Sequence, residues 1–284
     1  SEASLRHRSV LWGCWFVVPA LILLCMLASP VAHAEEKDDA ASDEPSLEAR
    51  LGELKVQFKE AKKKKDVNAM RALLEASGDL YEDCCDDVDL QMDVIKFTGT
   101  AAKGTKGHEI KVLVLQQLAD IGDLRGAKYI KPYLRQGNPK KASETLKAAV
   151  QTASEVPDPS LVPSLLKIVT RSKTTYIMGE AVYALGKFKT AKKYRGKILT
   201  TLVDEARKVK PGNRPRMRGT QEQLNGGTHY GRESGPGARW AALSAAVPVA
   251  LRELTGQDVR SLSEWMAIVK NHKGKYGDLF QDDE

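Results

Sequence analysis

Aromatic residues are scarce in this chain: Phe, Trp and Tyr together make up 6% of 284 residues. That scarcity argues against an all-β sandwich, whose strands draw on aromatic and β-branched side chains. Cysteine is scarcer still, with four residues, two of them the adjacent pair Cys84-Cys85. The count excludes a disulfide framework, and an intermolecular bond or one buried thiol fits the pair better than a strained bond between neighbours. With 42% hydrophobic residues the chain is neither collagen-like nor wholly disordered. Catalytic signatures are missing as well. No H-E-x-x-H, paired C-x-x-C, C-x-x-C-H, G-x-S-x-G or Walker-type loop occurs. His108, His229 and His272 are far apart, and no two have helix-ligand spacing. The run Glu82-Asp83-Cys84-Cys85-Asp86-Asp87, with Asp89, lacks the central Gly and closing Glu of a calcium loop. It reads as an acidic junction between helices. These absences point away from an enzyme, a metal site and a cofactor.

What is present begins with an address. Arg6 and Arg8 precede an apolar run from Val10 to Ala28, followed by Pro30 and the small-residue pattern Ala32-His33-Ala34. Residues 1–34 therefore read as a secretory signal peptide cleaved after Ala34, with an uncleaved membrane anchor as the rival. Cleavage predicts an exported protein, periplasmic or extracellular, with no membrane span left. The net charge of +7 is unevenly spread. Residues 35–49 hold Lys37 against seven acids, a net −6, which leaves +12 on residues 50–284. Residues 35–46 lack large apolar side chains and read as an acidic, disordered linker.

From Leu47 the pattern becomes helical. Leu47, Leu51, Leu54 and Phe58 mark one helix face, ended by the Lys62 to Lys65 run. Asp66 is placed to cap a second helix, and Asp86 or Asp87 a third. Ile110, Val114, Leu118 and Ile121 mark a fourth. The chain then repeats itself. Leu115, Leu118, Ile121 and Asp123 return 35 residues later as Val150, Ala153, Val156 and Asp158, and Leu185 with Phe188 begin a third copy. A period in the mid-thirties with two helices per unit predicts an all-α fold, a short α-solenoid of stacked hairpins, over 47–209.

The segments Asp158-Pro159-Ser160-Leu161-Val162-Pro163-Ser164-Leu165-Leu166 and Glu180-Ala181-Val182-Tyr183-Ala184-Leu185-Gly186 carry a resemblance. They resemble the HEAT-repeat family, including the short HEAT-like repeats of bacterial proteins. Pro163, Leu165 and Leu166 match the first helix of that repeat; Ala181, Ala184, Leu185 and Gly186 match the second. The resemblance covers about 105–205 and implies an α-α superhelix that binds other proteins on an extended surface.

Residues 210–236 interrupt the repeat with Gly and Pro punctuation and the alternating cations Arg214, Arg216 and Arg218, with Arg232 further on. This Gly/Arg-rich insertion reads either as a solvated loop or as an anion- or partner-binding one, since Arg supplies forked donors. Residues 237–272 read as a closing helical pair holding Trp240 and Trp265, with Pro248 expected to kink or split the first helix. Residues 273–284 read as an acidic, frayed tail. Lys187, Lys189, Lys192, Lys193, Arg195 and Lys197 crowd one inter-helix junction and are expected to join the Arg loop in one positive surface.

The sequence thus predicts an exported, non-catalytic binding or scaffold module with a protein partner. A second reading is a binder of acidic cell-envelope polymers or anionic surfaces through the junction and loop. A third puts Glu233, His229 and Tyr230 of the loop in an active site. Nucleic acid is not expected, because no aromatic stacking platform accompanies the cations.

Overall fold

A computed structural model describes residues 45–105, 107–135, 144–211, 236–272 and 274–280. The signal peptide and nearly all of the acidic linker lie outside the described residues. So do positions 212–235, with Arg214, Arg216, Arg218, His229, Tyr230, Arg232 and Glu233, and the last four residues of the tail.

Helices start where a short polar side chain precedes an apolar period. Ser46 accepts from the Ala49 N–H before α1 (Leu47–Lys64), Asp66 from Ala69 before α2 (Val67–Asp83) and Asp87 from Leu90 before α3 (Val88–Thr100). Each side chain thereby satisfies one of the unpaired amides of a helix N-terminus. The fourth helix, α4 (His108–Ile121), ends at Gly122, whose φ of 66° closes the C-terminus in the left-handed region.

The 35-residue repeat then appears as repeated capping. Asp123 accepts from the Arg125 N–H and starts the 3₁₀ turn Leu124–Gly126, which runs into α5 (Ala127–Arg135). Asp158 accepts from the Ser160 N–H and starts the 3₁₀ turn Pro159–Leu161, which runs into α7 (Val162–Arg171). Between them lies α6 (Glu144–Glu155), and after them α8 (Thr175–Gly186), α9 (Lys192–Val209), α10 (Pro236–Thr255) and α11 (Leu262–His272). The fold is all-α: among the described residues there are eleven α-helices and no strand. None of those helices is long and apolar enough to cross a membrane.

The helices from Leu47 onward touch in an ordered way. Each even-numbered helix packs on the next even one from α2 to α10, and each odd one on the next odd one from α1 to α11. Consecutive helices α1/α2, α3/α4, α5/α6, α7/α8 and α9/α10 pair across the two rows. Buried apolar side chains fill the space between the rows, among them Leu80, Val94, Val114, Leu118, Ile130, Val150, Leu165, Leu185 and Leu202. Phe58 meets Phe97 edge-on at 5.6 Å, joining α1 to α3. Gly186 lets α8 approach α10 so closely that an added Cβ would lie 2.9 Å from Ala250 Cα and O.

Three local expectations are corrected. Of the two outcomes expected at Pro248, a kink or a split, the split does not occur: α10 runs through it with Ala246, Val247, Ala250 and Leu251 all buried. Packing on both sides outweighs the lost backbone bond. Lys62, expected to serve its own helix end, donates to the carbonyls of Ala101 and Lys103 and so closes α3. The tail is not frayed as far as Phe280: Leu279 is buried in the 3₁₀ turn Gly277–Leu279, and its carbonyl accepts from Gln257 Nε2 at 3.3 Å. The closing helix α11 starts at Ser261, whose hydroxyl accepts from the Glu264 N–H. Trp265 is fully buried there and donates its indole N–H to the Val259 carbonyl.

Candidate functional site

The expected junction is the five-residue connection between α8 and α9 together with the first turns of α9. Its six cations have three different fates. Lys189, Lys193 and Lys197 are exposed and make no ion pair among the described residues; Lys193 and Lys197 are one turn apart on α9. Lys192 is also exposed. Lys187 reaches Glu253 of α10 at 2.7 Å, and that hydrogen bond raises its pKa. Arg195 is the departure from expectation. It is 8% exposed, its Nε donates to the Lys189 carbonyl, and its guanidinium lies 5.4 Å from the centre of the Phe280 ring. The tail residue Phe280, 85 positions away in sequence, turns this cation into a structural fastening.

The junction and the start of the Arg loop are also at opposite ends of one helix. The lysines begin α9, whereas the chain leaves α9 after Val209. Eighteen residues at about 1.5 Å each separate the two ends by about 27 Å. The cations of 214–232 lie outside the described residues.

Two polar networks were not legible as units in the sequence. At the first, Asp123 is 11% exposed and takes the guanidinium of Arg125 on both oxygens, at 2.5 to 3.0 Å, while the Tyr81 hydroxyl donates to it at 2.7 Å. Arg125 also reaches Gln91 Oε1 at 2.7 Å and, at 3.4 Å, the Val88 carbonyl. The network joins the end of α2, the start of α3 and the turn after α4. Burial pushes the Asp123 carboxyl up, but the hydrogen bonds from Arg125 and Tyr81 outweigh it and hold the pKa at about 2. Burial and the Asp123 bond raise the Tyr81 phenol, and the Asp123 bond raises Arg125.

At the second, Arg239 near the start of α10 donates to the carbonyls of Val169 and Ser172 at 2.7 and 3.0 Å, and to Glu205 Oε2 at 3.0 Å. Glu205, 8% exposed, takes Lys208 on its other oxygen at 2.7 Å. Arg239 thus closes the C-terminus of α7 and ties it to α9 and α10. A hollow beside it is lined by Ser172, Lys173 and Thr175.

Exposed large apolar side chains are few, and three sit on adjacent helices of one row. Tyr176 and Tyr183, two turns apart on α8, are 51% and 42% exposed, and Val249 on α10 is 40% exposed. The Lys147 ammonium from α6 lies 5.2 Å from the centre of the Tyr176 ring. The cysteine pair divides: Cys84 is buried and Cys85 exposed, and both are free thiols. Burial, with Asp87 and Asp83 nearby, raises the Cys84 pKa. No group of three or more His, Cys, Asp or Glu side chains among the described residues is placed to hold a metal ion. No protein-family model, curated protein or solved structure matches the chain.

Proposed function

We propose that the chain is an exported, non-catalytic binding or scaffold module, a short HEAT-like α-solenoid that presents its even-helix row to a protein partner. The observation that carries this reading is the exposure of Tyr176, Tyr183 and Val249 on neighbouring helices of that row. Tyr offers a large, stiff, half-polar contact surface and is enriched where proteins meet. The recurrence of the Asp123 and Asp158 caps 35 residues apart, within two ordered rows, supports the repeat architecture. Export rests on the charge, apolar and small-residue pattern of residues 1–34.

The test is crosslinking and capture with the chain and with a Tyr176→Ser, Tyr183→Ser, Val249→Ser variant. All three residues are exposed, so the melting temperature should hold while capture of the partner is lost. Unchanged capture by the folded variant would remove this face from the proposal. A second reading, an acidic envelope polymer at the junction, is favoured by the exposed Lys189, Lys193 and Lys197. It predicts binding that falls steeply with salt.

A further inference from the structure

The C-termini of the odd helices gather cations at one edge of the two rows. Each odd helix from α1 to α9 leads into its even partner at that edge, where odd C-termini and even N-termini come together. The bonds from Lys62 at the end of α1 to Ala101 and Lys103 after α3 lie there, as do those from Arg239 at the start of α10 to the end of α7. At this edge α1 ends in Lys63 and Lys64, Lys103 follows α3, and Arg135 ends α5. Arg171 ends α7 with Lys173 after it, and Lys210 follows α9. All seven are exposed, and none makes an ion pair among the described residues. At the opposite edge, α2, α4, α6 and α8 have no basic residue in their last turns. Glu82, Asp86, Asp120 and Glu155 are exposed there, together with Lys189, Lys192 and Lys193 of the α8–α9 junction.

We infer that this cationic edge is a binding site for a linear acidic polysaccharide, laid across the ends of α1, α3, α5, α7 and α9. Neighbouring helix axes stand about 8–10 Å apart, so four steps span about 36 Å. On the odd-helix side the seven cations give one positive charge per about 5 Å, while Asp66, Glu109 and Glu144 are exposed at the even-helix starts of the same edge. That density suits a single polymer chain with one carboxylate per ring. It is well below the density of a DNA duplex, with one charge per about 1.7 Å. Five of the seven cations are lysines, point charges without the planar fork that selects phosphate. Tyr176 is the one large apolar side chain exposed at this edge among the described residues. A folded protein epitope or a membrane would call for more apolar anchors, and single-stranded nucleic acid for a row of stacking rings. The hollow lined by Ser172, Lys173, Thr175 and Arg239 supplies a polar recess on the same line. The inference gives the acidic-polymer reading a site of its own and does not depend on the tyrosine face.

Fluorescence anisotropy with labelled polygalacturonate tests it. An edge variant replaces Lys63, Lys64, Lys103, Arg171, Lys173 and Lys210 by Gln, and a junction variant replaces Lys189, Lys193 and Lys197 by Gln. Circular dichroism checks that both keep the helical fold. The parent chain should bind with an affinity that falls linearly with salt on logarithmic axes. The edge variant should lose about tenfold or more in affinity and show a shallower salt slope, while the junction variant and the tyrosine-face variant stay within about twofold of the parent. Equal binding by edge variant and parent would overturn the inference, as would a larger loss in the junction variant. So would no binding to polygalacturonate, or a preference for polyglutamate, duplex DNA or anionic vesicles over it.

Discussion

Replacing Asp123 by Asn should cost stability at neutral pH and almost nothing at very low pH. The carboxyl titrates at about 2 in the folded chain, against an ordinary value of 3.8. A shift of nearly two units corresponds to about 2 kcal/mol at about 1.4 kcal/mol per unit. Because the folded value is depressed, this stabilisation is fully present above pH 3.8 and is lost as pH falls from there through about 2. Asn keeps the size of the side chain and its backbone cap but offers Arg125 a neutral acceptor. The expected loss is therefore about 2 kcal/mol at pH 7, or about 4–8 °C in melting temperature for a unit of this size. Urea unfolding followed by circular dichroism, from neutral pH down to about 2, reads both the loss and its disappearance. Asp158→Asn is the internal reference. Asp158 caps the equivalent turn 35 residues on but among the described residues has no guanidinium or phenol bonded to it, and Asn caps nearly as well as Asp. It should change stability by less than about 0.5 kcal/mol. The reasoning is refuted if the two variants lose equally, or if the gap between Asp123→Asn and the parent persists unchanged at the acid end.

Gly186→Ala should destabilise by about 1–3 kcal/mol in thermal melts, since its Cβ would press on the Ala250 backbone rather than on a movable side chain. Gly179→Ala in the same helix meets nothing within 4 Å and should raise stability by about 0.5–1 kcal/mol. Arg239→Ala leaves the Val169 and Ser172 carbonyls without their guanidinium donor and the buried Glu205 with Lys208 alone; a loss of about 2–3 kcal/mol is expected, with Arg239→Lys between it and the parent in the same denaturation series. Thiol mapping by mass spectrometry should find Cys85 modified in the native chain and Cys84 only after unfolding, because Cys84 is buried and its thiol pKa raised.

Local chemistry was the legible part. A short acidic side chain before an apolar period marks a helix start, so Asp66 was legible as a cap and the third helix was narrowed to Asp86 or Asp87, of which the structure uses Asp87; Asp123 and Asp158 were legible as repeat positions, and their capping is seen only in the structure. The 35-residue return was legible because the packing demands it: each row needs the same apolar face at each step. What spacing could not give was the direction of a long side chain. Lys62 and Arg195 stand in basic runs that look alike, yet one closes the end of a neighbouring helix and the other is buried under the tail. Arg and Lys cover several ångströms beyond their own backbone, so their partners are set by tertiary neighbours tens of residues away. Pro248 does not split its helix for a related reason, since buried neighbours on either side of it hold the segment helical.

The charge edge shows how a site can be periodic without being visible as a run. The cations from Lys187 to Lys197 are crowded in sequence, yet Arg195 is buried against Phe280 and Lys187 is paired with Glu253. Lys103, Arg135, Arg171 and Lys210 are separated by 32, 36 and 39 residues and look unrelated along the chain. Those intervals follow the repeat period, so two-row packing turns them into neighbours about one helix width apart. A scan for charges at the repeat period, anchored on the ends of odd helices, would have found them before any coordinates. The same scan on even helices returns acids at 82, 120 and 155, intervals of 38 and 35. The cations at the odd-helix ends and the acids at the even-helix ends cannot stabilise each other across the width of the rows at physiological salt, where interactions fade over about 8 Å. Replacing the exposed edge cations by Gln should therefore leave stability nearly unchanged, so that a loss of binding in the edge variant reads the surface and not the fold.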